Sequence, residues 1–114
     1  MALIYKILPR TLWQAAEAEG VFKGAPVDLA DGYIHFSTAE QVHETAAKHF
    51  AGQSDLLLAA FDADAFGDAM KWEPSRGGAL FPHLYATLAP ETALWVRELP
   101  LGSDGGHEFP ELGR

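Results

Sequence analysis

The sequence predicts a single small domain of mixed strands and helices. Strand patterns cover residues 2–8, 33–37, 55–62, 70–74, 83–88 and 92–99, and helical periodicity follows two of them. With 114 residues the chain can build one hydrophobic core but not two. We therefore expect one domain over 1–114, with its core at about 2–99 and a glycine-rich extension at 100–114.

The composition limits the classes of function. A net charge of -8 argues against nucleic-acid binding, which needs a surplus of lysine and arginine on one face. The chain has no cysteine, which excludes disulfides, thiolate zinc sites and a cysteine nucleophile. No apolar run has the length of a membrane span, and no signal-peptide pattern opens the chain. We therefore expect a cytoplasmic protein that has a small-molecule ligand and no membrane partner.

Proline and glycine divide the first part of the chain into elements. The strand at 2–8 is apolar on both faces, which favours a central position in a sheet. Pro9 ends this strand, and a helix that starts near Thr11 ends at Gly20. Residues 21–30 have no sustained periodicity, so a loop is expected there.

The stretch at 31–38, which reads DGYIHFST, combines a turn, a strand and a helix start. Its alternation buries one face and presents a polar face formed by Tyr33, His35 and Ser37. Thr38 starts a capping-box pattern, so a helix is expected over 38–50. A polar strand face that leads into a helix N-terminus suits an anionic or polar ligand.

A second stretch, at 83–88, has the same construction. Its alternation places His83, Tyr85 and Thr87 on one face. If the two strands share a sheet or a cleft, their imidazole, phenol and hydroxyl groups converge, and this is the predicted site. The alternative interpretation is a set of structural hydrogen-bonding residues on a partly exposed sheet.

Two charged residues between these stretches belong to the candidate set. Arg76 lies in a loop that reads SRGG, where glycine lets the backbone approach an anion and the guanidinium offers a fork of donors. An exposed arginine without a partner is the alternative. Glu73 is the acidic residue that lies near both stretches.

Three motifs resemble those of a small bacterial family, the domain of unknown function numbered 952. They read GYIHFST at 32–38, WE at 72–73 and FPHLY at 81–85, and the similarity runs from the first strand to about Leu99. Members of this family look like the ADP-ribosyltransferase fold. The resemblance therefore implies a small α+β fold with a split antiparallel sheet, two or three short helices and a cleft for a nicotinamide dinucleotide.

The opening of the chain is also similar to that of RNA 2′-phosphotransferases, which share this fold and use NAD. The common order is a strand, a short helix that ends in glycine, a loop, and then the residues IHFS. Those enzymes carry a histidine motif on the first strand, where this chain reads YKIL at 5–8. An NAD-like nucleotide is the cofactor that these similarities imply.

The chemistry of the candidate residues predicts their roles in an ADP-ribosyl or phosphoryl transferase. The predicted catalytic residues are His35, Glu73 and His83. His35 would act as an acid, a base or a donor to ribose or phosphate, and Glu73 would stabilise an oxocarbenium ion or orient a ribose. The predicted cofactor-binding residues are Tyr33, Ser37, Thr38, Arg76 and Tyr85.

The cofactor-binding roles follow from the functional groups. The tyrosines would stack on a planar ring, Ser37 and the following helix start would bind an oxyanion, and Arg76 would clamp a phosphate. Two histidines without a third ligand do not predict a metal site. A non-catalytic module that binds a metabolite or a protein in the same cleft is the alternative, and it agrees with the abundance of aromatic residues.

Overall fold

The computed structural model describes residues 1–112, except for the side chain of Arg76. Its strands and helices are, in order, β1 (Leu3–Pro9), α1 (Arg10–Glu19), α2 (Pro26–Asp31), β2 (Ile34–His35), α3 (Ala39–His49), β3 (Leu56–Asp62), β4 (Met70–Pro74), β5 (Leu80–Leu84) and β6 (Trp95–Leu99). The fold is therefore α+β, as the resemblance implied. Within the described range, no helix combines the length and apolarity that crossing a bilayer requires.

The strands of the described chain form two antiparallel sheets of three strands each. Their orders are β1-β3-β6 and β2-β5-β4, so the split antiparallel sheet is present. β3, which was predicted as an interior strand, lies at the centre of the first sheet. The central position predicted for β1 is wrong, because β1 pairs along its length with β3 only.

A single bridge joins the two sheets. The N–H of Tyr5 donates to the C=O of Ser37 at 2.7 Å, and the N–H of Ser37 donates to the C=O of Tyr5 at 2.9 Å. The second sheet thus meets the free side of β1 at one residue. Within residues 1–112 no other backbone bridge connects the two sheets.

The first sheet divides the hydrophobic core into two layers. Alternate residues of β1 and β3 face α1 and the second sheet, and the intervening residues face α3. The first layer includes Ile4, Leu8, Trp13, Phe61 and Leu84. The second layer includes Ile7, Val42, Ala46 and Leu58. Burial on both faces explains why β3 has an uninterrupted apolar sequence.

α2 replaces part of the loop that was predicted at 21–30. Pro26 occupies the first turn, where its fixed φ suits a helix and its missing N–H costs nothing. A carboxylate oxygen of Asp28 accepts from the N–H of Ala25 at 2.8 Å, and Gly32 ends the helix with φ 88°. The helix is too short for its periodicity to be recognised, but its two ends carry recognisable signals.

Three strands are shorter than predicted. The strand expected at 83–88 spans Leu80–Leu84, so the side chains from Tyr85 onward lie beyond its end. β2 and β6 are likewise shorter than the predicted 33–37 and 92–99. An alternating pattern marks which residues are buried, whereas a strand ends where its pairing ends.

The extension after β6 packs on the rest of the protein through a few large side chains. The ring of Phe109 lies 4.1 Å from the ring of His43 on α3. His107 contacts the C=O of Gln53 through Nε2 at 2.8 Å. Leu112 packs against the same core layer as α3.

The start of α3 depends on Gln41, and this yields a stability prediction. Its Oε1 accepts from the N–H of Thr38 at 3.0 Å, and its Nε2 donates to the C=O of Leu80 at 2.8 Å. Gln41→Ala removes both bonds, so we expect the free energy of unfolding in urea to fall by about 1–2 kcal/mol. Gln41→Glu keeps the cap and loses only the bond to β5, so its loss should be about half as large.

The matched control is Gln14→Ala, at an exposed position of α1, which should change stability by less than about 0.5 kcal/mol. Equal effects of the changes at positions 14 and 41 would show that the two hydrogen bonds of Gln41 contribute nothing.

Candidate functional site

His35 and His83 lie directly opposite each other on neighbouring strands. They are register partners in the β2–β5 pair, and their ring centroids are 5.4 Å apart. Both residues line a cleft of about 570 Å³ between the two sheets, whose walls also include β1 and α2. The structure thus brings together the two imidazoles that the alternating patterns place on polar faces.

Tyr33 stacks on the imidazoles instead of lining the cleft. Its ring lies 4.1 Å from that of His83 at an interplanar angle of 26°, and 4.7 Å from that of His35. Tyr85 lies 5.2 Å from Tyr33 on the same side. Burial and the charges of Asp31 and Glu73 raise the pKa of Tyr33. Neither tyrosine is part of the cleft wall, so any stacking on a ligand in the cleft falls to other rings.

Glu73 holds His83 and Tyr85 from behind the cleft. Its Oε1 accepts from Nδ1 of His83 at 2.8 Å and from the Tyr85 hydroxyl at 2.7 Å. The hydrogen bond from His83 lowers the pKa of Glu73, and the hydrogen bond to Glu73 raises the pKa of Tyr85 to about 12. An ionised carboxylate can only accept, so these contacts place hydrogen atoms on Nδ1 and on the phenol.

A buried ion pair that the sequence did not reveal lies beside His35. Nζ of Lys6 is 3.1 Å from Oδ2 of Asp28, and the two residues are 6% and 2% exposed. The signal was a lysine within the apolar strand at 2–8, because a buried cation needs a counter-charge. Asp28, its partner, lies in the stretch 21–30 that was predicted as a loop, so the pairing was not predicted.

Asp28 receives more hydrogen bonds than Lys6 can supply. Its Oδ1 accepts from Nδ1 of His35 at 2.7 Å and from the N–H of His35 at 3.1 Å, in addition to the bond from Ala25. Burial raises the pKa of Asp28, but the bond from His35 and the charge of Lys6 outweigh this and hold it at about 2. Burial lowers the pKa of Lys6, and Asp28 offsets only part of that effect.

The ion pair between Lys6 and Asp28 also hydrogen-bonds to the backbone N–H and C=O of His35. In a sheet continued from the Tyr5–Ser37 bridge, His35 would pair with Ile7 of β1. The C=O of His35 instead accepts from Nζ of Lys6 at 2.9 Å, and its N–H goes to Asp28. The ion pair therefore stands where the next pair of sheet hydrogen bonds would form.

Ile7 consequently has an open backbone edge. Tyr5 turns its N–H and C=O away from β3, and Ile7, two residues further along the strand, turns its own groups the same way. No residue in the described part of the chain hydrogen-bonds to these groups of Ile7. Ile7 lines the cleft, so one donor and one acceptor of the main chain are available there.

Two carboxylates hold the His35 ring. Nδ1 contacts Asp28 at 2.7 Å, and Nε2 contacts Oδ2 of Asp31 at 2.9 Å. Because ionised carboxylates only accept, both nitrogens must carry hydrogen for both bonds to form. Both ring nitrogens of His35 are therefore engaged by carboxylates, and neither is open to a ligand.

The remaining predicted residues differ in position. Ser37 lines the cleft, but its hydroxyl hydrogen-bonds to that of Thr45 at 2.8 Å. Thr38 caps α3, and its N–H is already bonded to Gln41. The side chain of Arg76 lies outside the described residues. Over 1–112, no three histidine, aspartate or glutamate side chains group together as a metal site requires.

Asp28 has more hydrogen-bonding partners than Lys6, so substitutions of the two residues should lower the free energy of unfolding by different amounts. Asp28→Asn leaves the Lys6 ammonium buried without a counter-charge, which should lower the free energy of unfolding by about 3–5 kcal/mol. Lys6→Met leaves Asp28 with donors from His35 and Ala25, so the loss should be about 1–2 kcal/mol. The double variant should be more stable than Asp28→Asn alone, because the unpaired cation is gone.

Urea denaturation at pH 7 measures these effects. Asp68→Asn, which changes an exposed carboxylate outside the cleft wall, should stay within about 0.5 kcal/mol of the wild type. Equal losses for the two single variants would contradict the predicted asymmetry.

The low pKa of Asp28 predicts a loss of stability in acid. Its folded-state value of about 2 lies below the ordinary value of 3.8, so its stabilisation is complete above pH 4 and is lost as the pH falls towards 2. The shift corresponds to about 2 kcal/mol. The difference in unfolding free energy between the wild type and Asp28→Asn should therefore shrink between pH 4 and pH 2. A constant difference over that range would show that Asp28 titrates normally.

Comparisons with known proteins define the family of the chain. The crystal structure of protein CC0527 from Caulobacter crescentus is 53% identical, with a TM-score of 0.90 over 93% of both chains. The solution NMR structure of CC0527 is 54% identical, with a TM-score of 0.84 over 93% of this chain and 91% of that one. No functionally curated protein matches the chain. The model of the family described as "Protein of unknown function (DUF952)" matches residues 7–96, so this chain belongs to the DUF952 family.

Proposed function

We propose that the cleft binds the nicotinamide and ribose end of an NAD-like nucleotide, and that the chain is an ADP-ribosyltransferase-like enzyme. The observation that carries this proposal is the open backbone edge of Ile7 in the cleft wall. A carboxamide offers both a C=O and an N–H, so it can bond to the N–H and the C=O of Ile7 together. Nicotinamide carries such a group on a flat ring.

The size and lining of the cleft support a ligand of this kind. A volume of about 570 Å³ falls within the range of about 300–1,000 Å³ that is typical of small-molecule sites. Phe36 and Phe81 are among the aromatic residues of the wall, and apolar side chains of β1 and α2 complete it. A flat ring can therefore be buried beside the backbone groups that recognise its amide.

A carboxylate of the cleft wall can face a cationic ring. Asp31 lines the cleft and contacts Nε2 of His35 through Oδ2, and Lys6, the lysine of the lining, already contacts Asp28. The nicotinamide ring of oxidised NAD is positively charged until its bond to ribose breaks, so a nearby carboxylate stabilises it. Phosphoryl transfer is less well supported, because it needs cations that bind the transferred phosphate.

A non-catalytic binding module on the same fold is the second candidate. The observation that favours it is the position of His35, whose ring nitrogens are both bonded to carboxylates. A group held in this way orients a ligand but cannot take up its proton. Nicotinamide release distinguishes the two candidates, because only the enzyme breaks the bond between the ring and the ribose.

Ligand-induced shifts in melting temperature test the proposal. NAD and nicotinamide should raise the melting temperature of the full chain, because both carry the carboxamide. Nicotinic acid should not, because its carboxylate lacks the N–H that the C=O of Ile7 would accept and is repelled by Asp31. Chromatography of the NAD incubation then shows whether nicotinamide is released.

A charge variant provides the matched control. Asp31→Asn should weaken the shift caused by NAD, and Asp68→Asn, which changes a carboxylate outside the cleft wall, should leave it unchanged. Stabilisation by NAD without nicotinamide release would support the binding module. No stabilisation by either NAD or nicotinamide would refute both candidates for this ligand.

A further inference from the structure

We propose that His83, positioned by Glu73, is the proton acceptor of the cleft, and that His35, whose ring nitrogens both contact carboxylates, takes no part in proton transfer. The inference rests on the proposed function for its substrate. The sequence patterns do not distinguish the two imidazoles, whereas this inference assigns the role of proton acceptor to His83 alone. The contacts of the four ring nitrogens carry it.

The geometry leaves one nitrogen of His83 available. Nδ1 donates to Oε1 of Glu73 at 2.8 Å, on the side away from the cleft, since Glu73 is not part of the cleft wall. His83 itself lines the cleft, and over residues 1–112 its Nε2 has no hydrogen-bonding partner. With a hydrogen on Nδ1, the neutral ring carries its lone pair on Nε2. That lone pair is a base on a residue of the cleft wall.

The surroundings of His83 stabilise this arrangement. His83 is 4% exposed, and the ring of Tyr33 covers one face of its imidazole at 4.1 Å. Glu73 is held in turn by the Tyr85 hydroxyl at 2.7 Å, so the base has an oriented partner. Lys71 lies opposite His83 on β4, and the ring of His35 lies on β2, 5.4 Å from that of His83. The negative charge of Glu73 stabilises the imidazolium that forms when Nε2 takes up a proton.

The contacts of His35 exclude it from the same role. Both of its nitrogens donate to carboxylates, Nδ1 to Asp28 and Nε2 to Asp31. Loss of the proton from either nitrogen would leave a ring lone pair facing a carboxylate oxygen at hydrogen-bonding distance. One of these carboxylates, that of Asp28, is buried. His35 therefore helps to fix the position of β2 through these contacts, and the proton goes to His83.

The reaction balances with this base. The hydroxyl oxygen of an alcohol or of water attacks C1 of the ribose, and its proton passes to Nε2 of His83. The bond between ribose and nicotinamide breaks, and its electron pair stays with the ring nitrogen, so nicotinamide leaves as a neutral molecule. The products are an ADP-ribosylated alcohol, or free ADP-ribose when water attacks, with nicotinamide and one proton. His83 then returns the proton to water.

Nitrogen-15 NMR of the imidazole rings tests the assignment without a substrate. In the full chain, the neutral ring of His83 should carry its hydrogen on Nδ1 and leave Nε2 bare. Glu73→Gln keeps an acceptor for Nδ1 and should keep this tautomer. Glu73→Ala removes the acceptor and should shift His83 towards the form protonated on Nε2. A neutral His83 ring that carries its hydrogen on Nε2 in the wild type would overturn the assignment.

Turnover tests the same assignment in the reaction. His83→Asn retains an N–H for Glu73 but has no basic nitrogen, so it should keep the NAD-induced melting shift and lose nicotinamide release by about 100-fold or more. His43→Asn, on the exposed side of α3, should leave release unchanged. Full activity of His83→Asn would refute the role of His83. If the wild type releases no nicotinamide, the proposed function fails, and the NMR result still decides which nitrogen is bare.

Discussion

The buried ion pair between Lys6 and Asp28 is the interaction on which the candidate site depends. It links β1 to α2 and, at the same time, takes up the N–H and C=O of His35. A buried charge pair is stable only when its remaining donors and acceptors are bonded, and His35 satisfies both partners. The N–H and C=O of His35 would otherwise pair with Ile7 and extend the bridge between the sheets. They bond to the ion pair instead. In the described residues the sheets therefore share one backbone bridge, and a cleft lies beside it.

The same arrangement gives two neighbouring imidazoles different chemistry. His35 lies on the side of the ion pair, between two carboxylates, whereas His83 has one carboxylate behind it and the cleft in front. Pairs of titratable groups with contrasting surroundings are a common arrangement for separating acid, base and electrostatic roles. Tyr33 packs over both rings and keeps them at a fixed separation. The difference between the histidines thus arises from the elements behind them, α2 for one and β4 for the other.

Local patterns in the sequence were sufficient to predict the facing of His35 and His83, because alternation depends only on an extended backbone. They were insufficient for Glu73 and Tyr85, which do not line the cleft. Tyr85 lies beyond the end of β5 at Leu84, and Glu73 lies on the neighbouring strand β4. The partner of Lys6 could not be predicted, since any of 16 acidic residues could supply the charge and tertiary structure alone selects Asp28. The proline and glycine at the ends of α2 were visible in the sequence, and they would have corrected the loop at 21–30.

Pro9 limits what can use the free side of β1. It follows Ile7 on the same side of the strand and also lines the cleft, but it has no N–H to offer. An incoming polypeptide would therefore gain a single residue of main-chain pairing before the ladder stops, which is too little for strand addition. A small ligand with one amide needs only the N–H and C=O of Ile7, so the missing N–H of Pro9 does not weaken its binding. The proline thus protects an unpaired edge against self-association while leaving it accessible to small molecules.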